Sequence, residues 1–511
     1  VSNLHRRDFL KRTAQLGAAA GAADFAFLRG LPPVSAQDVQ VSRAMVHVSA
    51  DIEPLVRLIE ETPRNRVLDA VADRIRTGTG YQPILAALML AGVRGIRPRP
   101  VGFKFHAVLV VNSAYLAAQN ANDRDRWLPL FWAIDNFKSS QERNRQEGDW
   151  VMPSVQENQL PRTREQALTA FQEAMDNWDE EGADRAVAML ARSCGLGEVY
   201  ELFWRYGARD FRDIGHKAIY VANSYRTLQT IGWRHAESIV RSLAFALLEH
   251  EGGNPSQRDA DQDRPWRDNL RRASGIRADW QTGRVSSESS AALLATLRAG
   301  THAEACDAVV ARLNDRISPA SLWDALLLCA GELLMRQPGV VGLHTVTSMN
   351  AFYFAYQTSA NDLTRRLMLL QATAFLPMFR QAMTQRGQVA ALELDTLQPV
   401  PPTEQRAELA VGEIFGDISR NDRAAAARKT LSLLTAHPQL TQLVMATARQ
   451  HIFTKGNDSH DYKFSSAVLE DFYHVTPAWR NRYLASSMFW LRGSAGPDSP
   501  VLQRTRQALG S

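Results

Sequence analysis

Cysteine is scarce in this chain: three residues in 511, Cys194, Cys306 and Cys329. They lie in apolar, helix-like sequence without a CxxC spacing, which excludes a disulfide framework and the common zinc modules. We read them as buried free thiols, with one bridge chemically open after export. Clean period-two alternation is also scarce, which argues against a β-rich fold. No apolar run is long enough for a bilayer span, so no stable membrane anchor is expected. A large excess of one charge is missing too. The formal net charge is +5, and Arg6, Arg7, Lys11, Arg12 and Arg29, set against Asp8 and Asp24, place part of it in the first thirty residues. A nucleic-acid role gains no support from this. GxSxG, P-loop, HExxH, CxxCH and a well-placed GxGxxG are all lacking. Their absence removes the commonest hydrolases, nucleotide enzymes, zincins and c-type haem proteins.

What the N-terminus does carry is an address. Arg6-Arg7-Asp8-Phe9-Leu10-Lys11 resembles a twin-arginine signal. A weakly apolar, Ala- and Gly-rich stretch follows from Thr13 to Leu28, with Arg29 after it. Val34 and Ala36 then put small residues at −3 and −1 of a cleavage site. The resemblance implies transient engagement of the twin-arginine (Tat) translocation machinery, cleavage after Ala36, and a periplasmic or secreted protein. That route carries folded cargo, which raises the expectation of a cofactor inserted before export.

Beyond the signal, apolar residues recur at spacings of three and four almost throughout, predicting an all-α fold. Thr163-Arg-Glu-Gln166 and Thr301-His-Ala-Glu304 have capping-box spacing. Ser318-Pro319 and Thr476-Pro477 place a hydroxyl before a Pro suited to the first helical position. Polar segments from Ser139 to about Arg162, from Glu251 to about Ser287, and around Leu397 to Glu404 read as loops or linkers. The expected division is a signal over 1–36, helical modules over 37–138, 163–250, 288–386 and 405–493, and a tail over 494–511.

The modules resemble one another, each around one histidine. Ile75 to His106 and Leu313 to His344 are both 31 positions apart; Leu190 to His216 and Leu434 to His460 are both 26. In the first three modules a Tyr follows the His by nine positions, as Tyr115, Tyr225 and Tyr353. Nine residues is about half a turn out of phase on a helix, so this Tyr is expected in packing, not beside its own His. Each module reads as a pair of helices, a loop containing Gly (Gly102, Gly215, Gly342 or Gly456), a His helix and a closing helix. Such repeats predict an α-solenoid or a closed α/α ring around a central cavity.

Around a pseudo-axis, His106, His216, His344 and His460 would line that cavity, each near a helix N-terminus that keeps the imidazole neutral. Imidazoles from separate helices suit Zn, Cu or Fe, and metal-free acid–base work is the other chemistry they allow. Asp458-Ser-His460-Asp461-Tyr-Lys463 is the densest polar cluster beside a key histidine, and Asp461 or Lys463 could act there as acid or base. A repeat can equally preserve a structural histidine four times. Weaker candidates have plain structural readings: His302 with Cys306 at i, i+4, His235 at the start of a closing helix, and the solvated cluster Glu249-His250-Glu251.

Phe105-His106 leading an apolar helix, Gly215-His216, the His344 helix and His460-Asp461-Tyr462-Lys463 are similar to the questin oxidase-like proteins, over most of the mature chain. That resemblance implies an all-helical oxidoreductase acting on aromatic or polyketide-like molecules by Baeyer–Villiger-type oxidation. The late motif departs from the family pattern in lacking a second His, and export removes the chain from the cytoplasmic nicotinamide pool. The histidines carry over; the reaction does not. The sequence therefore predicts an exported oxidoreductase acting on a small cyclic or aromatic substrate in a histidine-lined central cavity, where the histidines bind a metal or act directly. Its competitor is a non-catalytic helical-repeat protein that binds a ligand or partner.

Overall fold

A computed structural model describes residues 48–510. The twin-arginine segment and the cleavage site after Ala36 lie outside the described residues. Over the rest the fold is all-α, with 22 α-helices; no strand occurs among the described residues, and one isolated bridge pairs Arg284 with Ile317.

Twenty of the helices fall into four groups of five. The first holds α1 (Glu53–Glu61), α2 (Val67–Arg76), α3 (Tyr81–Gly95), α4 (His106–Gln119) and α5 (Leu128–Gln146). The second holds α6 (Arg164–Asn177), α7 (Glu180–Ser193), α8 (Leu196–Ala208), α9 (His216–Ile231) and α10 (Ala236–Leu248). After the separate α11 (Arg264–Ser274) come α12 (Ser287–Ala299), α13 (His302–Asn314), α14 (Pro319–Arg336), α15 (Val340–Thr358) and α16 (Asp362–Thr384). The last group is α17 (Ala407–Ser419), α18 (Arg423–Ala436), α19 (Thr441–Lys455), α20 (Ser459–Asp471) and α21 (Arg480–Ser486), followed by α22 (Pro500–Leu509). Three helices, not two, therefore precede each histidine helix.

The four histidine helices pack on one another in a closed cycle: α4 on α9, α9 on α15, α15 on α20 and α20 on α4. Their sequences explain the central position. Every residue from His106 to Ala114, and from Val341 to Phe352, is buried. A helix apolar on all sides belongs inside a larger assembly. The third helix of each group packs against its histidine helix, and α22 returns to α2 and α5. Contact between the first and last groups means the central helices are not an open stack.

Composition misplaced some helices. The polar stretch from Ser139 to about Arg162 begins as the end of α5, where Ser140, Gln141 and Asn144 are buried, and is irregular beyond Gln146 apart from a short turn at Glu157–Gln159. Gln141 Oε1 accepts from Lys138 Nζ at 2.5 Å and Asn144 Nδ2 donates to the Trp150 carbonyl at 2.9 Å, so these side chains are satisfied inside. The stretch 251–287 contains α11, whose buried Asn269 donates to Gln371 Oε1 at 2.8 Å. Leu397 to Glu404 is a loop, as expected.

The helix starts mostly stand. Thr301 and Glu304 form the full capping box, and Ser318 caps α14 with Pro319 at its first position. Thr163 accepts from Gln166 N, while the Gln166 side chain takes the Arg162 N–H instead of closing the box. Thr476-Pro477 starts no helix: α21 begins at Arg480. Asp324 accepts from both the Thr476 N–H and its hydroxyl, at 2.9 and 2.6 Å. Gly342 lies in the first turn of α15 and not in a loop; Gly339 is its N-cap.

Candidate metal centre

Closing the cycle of four helices brings four histidines to one point. His106 and His216 are the first residues of α4 and α9, His460 the second of α20, and His344 the fifth of α15. All four are buried, with exposures of 3 %, 1 %, 5 % and 0 % for His106, His216, His460 and His344. Ring centroids of neighbours around the cycle are 5.0 Å (106–216), 4.2 Å (216–344), 5.2 Å (344–460) and 4.7 Å (460–106) apart. The His106–His344 diagonal is 6.5 Å, longer than any edge. One ring nitrogen from each of the four lies within 4.8 Å of the others.

Hydrogen bonding decides which nitrogen faces inward. Nδ1 of His106 meets the Gly102 carbonyl at 2.9 Å, that of His216 the Asp213 carbonyl at 2.7 Å, and that of His344 the Val340 carbonyl at 2.6 Å. Nδ1 of His460 meets Asp458 Oδ1 at 2.6 Å. A carbonyl or carboxylate oxygen only accepts, so each Nδ1 carries the proton and each Nε2 of a neutral ring is a bare lone pair. The Nε2 atoms of His106 and His216 face each other at 3.2 Å. Those of His344 and His460 are buried without a partner. Burial, first, holds all four rings neutral, and the nearby Lys463 charge pushes in the same direction. A buried acceptor left unsatisfied costs about 1–3 kcal/mol. A cation shared by the four rings would satisfy them, and the group could hold a metal ion. A ligand separation of 3.2 Å also suits metal–imidazole bonds of about 2.0–2.1 Å.

The glycine before His216 is required. Gly215 has φ +81°, and a Cβ there would overlap Ser348 Oγ on α15. The close approach of the α9 start to α15 brings His216 and His344 together.

Around the four rings, Asp458 is the carboxylate partner of the set. Burial pushes its carboxyl up, but the hydrogen bonds from the His460 ring and backbone N–H outweigh that and lower it to about 2. A carboxylate behind a ligand histidine fixes its tautomer and strengthens it as a donor. Asp458 carries no assigned role in the sequence reading of its polar cluster; its signal is an acid at a helix N-cap two positions before a histidine. Asp461 is committed elsewhere: it closes the capping box of α20 and pairs with Arg492 at 2.7 Å. The Lys463 amine is buried without a hydrogen-bond partner, and burial pushes it down to about 7.

The side nearest solvent is defined by the same loops that hold the rings. Phe103, 70 % exposed, stacks on His106 at 6.0 Å. Val101 and Asp213, next to or at the carbonyls holding His106 and His216, line a cleft of about 360 Å³ with Arg99, Arg212, Glu249 and Arg258.

The remaining candidates are placed outside the four-ring centre. Tyr115, Tyr225 and Tyr353 pack in aromatic clusters, with Tyr81, with Tyr200 and Trp204, and with Trp323. His302 is half-buried, and the buried Cys306 donates to the Leu370 carbonyl. His235 takes a hydrogen bond from Arg234, and His250 packs on Trp178. The three cysteines are free and buried. Glu470, Asp471 and His474 also lie within reach of one another, but Arg226 pairs with Glu470 while Asn350 and Tyr483 occupy Asp471. Compared with models of protein families, with curated proteins and with solved structures, the chain has no match.

Proposed function

We propose that this protein is a metal-dependent oxidoreductase whose copper or iron ion is held by His106, His216, His344 and His460. The observation that carries the reading is the convergence of four buried Nε2 lone pairs, each fixed by a hydrogen bond on its Nδ1. A structural role for the rings, as in a non-catalytic helical-repeat protein, leaves those lone pairs facing one another without a donor. All-imidazole coordination suits Cu, Fe or Zn, and of these copper and iron are the redox-active ions that an oxidoreductase needs. Such an ion supplies electron transfer and an open coordination position.

The chain's own residues orient and protect that position. Gly102, Asp213, Val340 and Asp458 fix the rings, the packed helices exclude water, and Lys463 holds or releases a proton beside them. The substrate is a small molecule. Phe103 and Val101, exposed apolar side chains beside the loops that hold the rings, suit the cyclic or aromatic class that the questin oxidase-like resemblance implies, while the neighbouring cleft is lined largely by charged side chains. Export by the twin-arginine route, inferred from Arg6 to Lys11, fits a protein that closes around its metal before leaving the cytoplasm.

The test is metal analysis of natively exported protein, with paramagnetic resonance and a His216→Ala control. One copper or iron per chain, lost in the variant, is expected. Stoichiometric zinc would refute the redox assignment. Absence of any bound metal from protein never exposed to chelator would refute the metal centre.

A further inference from the structure

The four imidazoles are neutral, and what surrounds them is positive. The helices carrying them run in one direction, because residues on the C-terminal side of each histidine meet one another: Asn223 Nδ2 donates to the Leu109 carbonyl, Ser466 Oγ to the Ser113 carbonyl, and Asn350 Nδ2 to Glu470 and Asp471. Four helix N-termini therefore lie beside one point, each with the partial positive charge of a helix start, that of α20 offset by its Asp458–Asp461 capping box.

A separate observation marks the same point. Lys463 is 3 % exposed, its Nζ has no hydrogen-bond partner, and its charge acts on all four imidazoles. It stands one turn beyond His460, and a helical side chain leans back toward the N-terminus of its helix, here toward the rings. Among the described residues, Asp458 is the one carboxylate hydrogen-bonded to a histidine of the centre. The nearby acids Asp461 and Asp210 are paired with Arg492 and Lys217. A divalent ion bound by four neutral ligands adds two charges beside Lys463, set against the carboxylates of Asp458 and of Asp213, whose Oδ2 is buried without a partner.

We propose that the centre takes a small monoanion of two or three atoms, the class of azide, superoxide and hydroperoxide, held between the metal and the Lys463 side chain. This rests on the metal reading above and names the ligand of that site.

The experiment loads the full-length protein with cobalt(II) and titrates it with azide, following the visible absorption bands. Wild type is expected to show a saturable shift. Lys463→Met, which keeps the length of the side chain and removes its charge, is expected to bind azide about tenfold more weakly and cobalt more tightly. Opposite signs for anion and cation are what a packing role cannot produce. Lys463→Gln repeats the comparison with a polar side chain. Cobalt bands that azide leaves unmoved in wild type, or azide affinity equal in wild type and both variants, overturns the anion site while the metal reading stands. Failure of wild type to take up cobalt overturns the metal reading, and this inference with it.

Discussion

Among single residues, Asp458 offers the cleanest test of the ligand shell. Asp458→Asn keeps an oxygen to accept from His460 Nδ1 but removes the charge behind the ring. Loss of such a partner typically costs about 10–100-fold in metal affinity. Competition against a chromophoric chelator reads this directly, and an unchanged affinity would mean that His460 is not a ligand. Asp471 sets a different kind of dependence. It is buried on α20 and accepts from Asn350 Nδ2 and Tyr483, and burial, followed by the Glu470 charge, raises its carboxyl to about 8. Below about pH 4 the carboxyl is protonated whether the chain is folded or not. Between there and about pH 8 the folded chain keeps a proton that the unfolded chain has released, so this group makes stability fall as pH rises. Denaturant unfolding of wild type at pH 5 and pH 8.5 is expected to show that loss, and Asp471→Asn to flatten it. Equal slopes in the two proteins would remove Asp471 as the cause.

At the level of elements, the start of α9 is the tightest junction of the centre. Gly215→Ala meets both a left-handed backbone and the Ser348 hydroxyl. Left-handed backbone alone costs an L-residue about 1–2 kcal/mol. We expect a clear drop in Tm and weaker metal binding, since His216 follows directly. Gly215→Ala with Ser348→Gly is expected to recover only the part due to overlap. Full recovery would mean that the backbone conformation carries no cost. The elements also show where reading by composition fails. The periodicity of α4, α9, α15 and α20 announced helices, but the buried polar end of α5 looked like a linker because a partner such as the Arg97 N–H, from which Asn144 accepts, lies far away in sequence.

For the whole molecule, one ligand comes from each of the four groups of helices, so an ion at the centre ties all of them together. Binding to the folded chain alone stabilises it in proportion to the logarithm of free metal over Kd, about 2.7 kcal/mol at a hundredfold excess. Titrating metal into apoprotein is expected to raise Tm progressively in a single transition, and replacement of any one of the four histidines by Ala to abolish most of that rise. A rise that survives His344→Ala would place the metal elsewhere. Phe103→Ala, by opening the side that stacks on His106, is expected to speed metal removal by a chelator without lowering Tm.

Local patterns in the chain determined a good deal. Helical periodicity, equal spacings between modules and Gly-led histidines are short-range features, and they specified an all-α protein with four histidines near helix starts. They could not specify that the Nε2 atoms meet, because that depends on four helices over a hundred residues apart running in the same direction around one axis. Nor could they separate Asp458 from Asp461, two acids flanking one histidine: one accepts from the ring and the other is drawn to Arg492, a residue 31 positions on. Tautomer, charge balance and the convergence of the four rings arise only when distant groups desolvate one another, and that is a property of the packed fold and not of any segment.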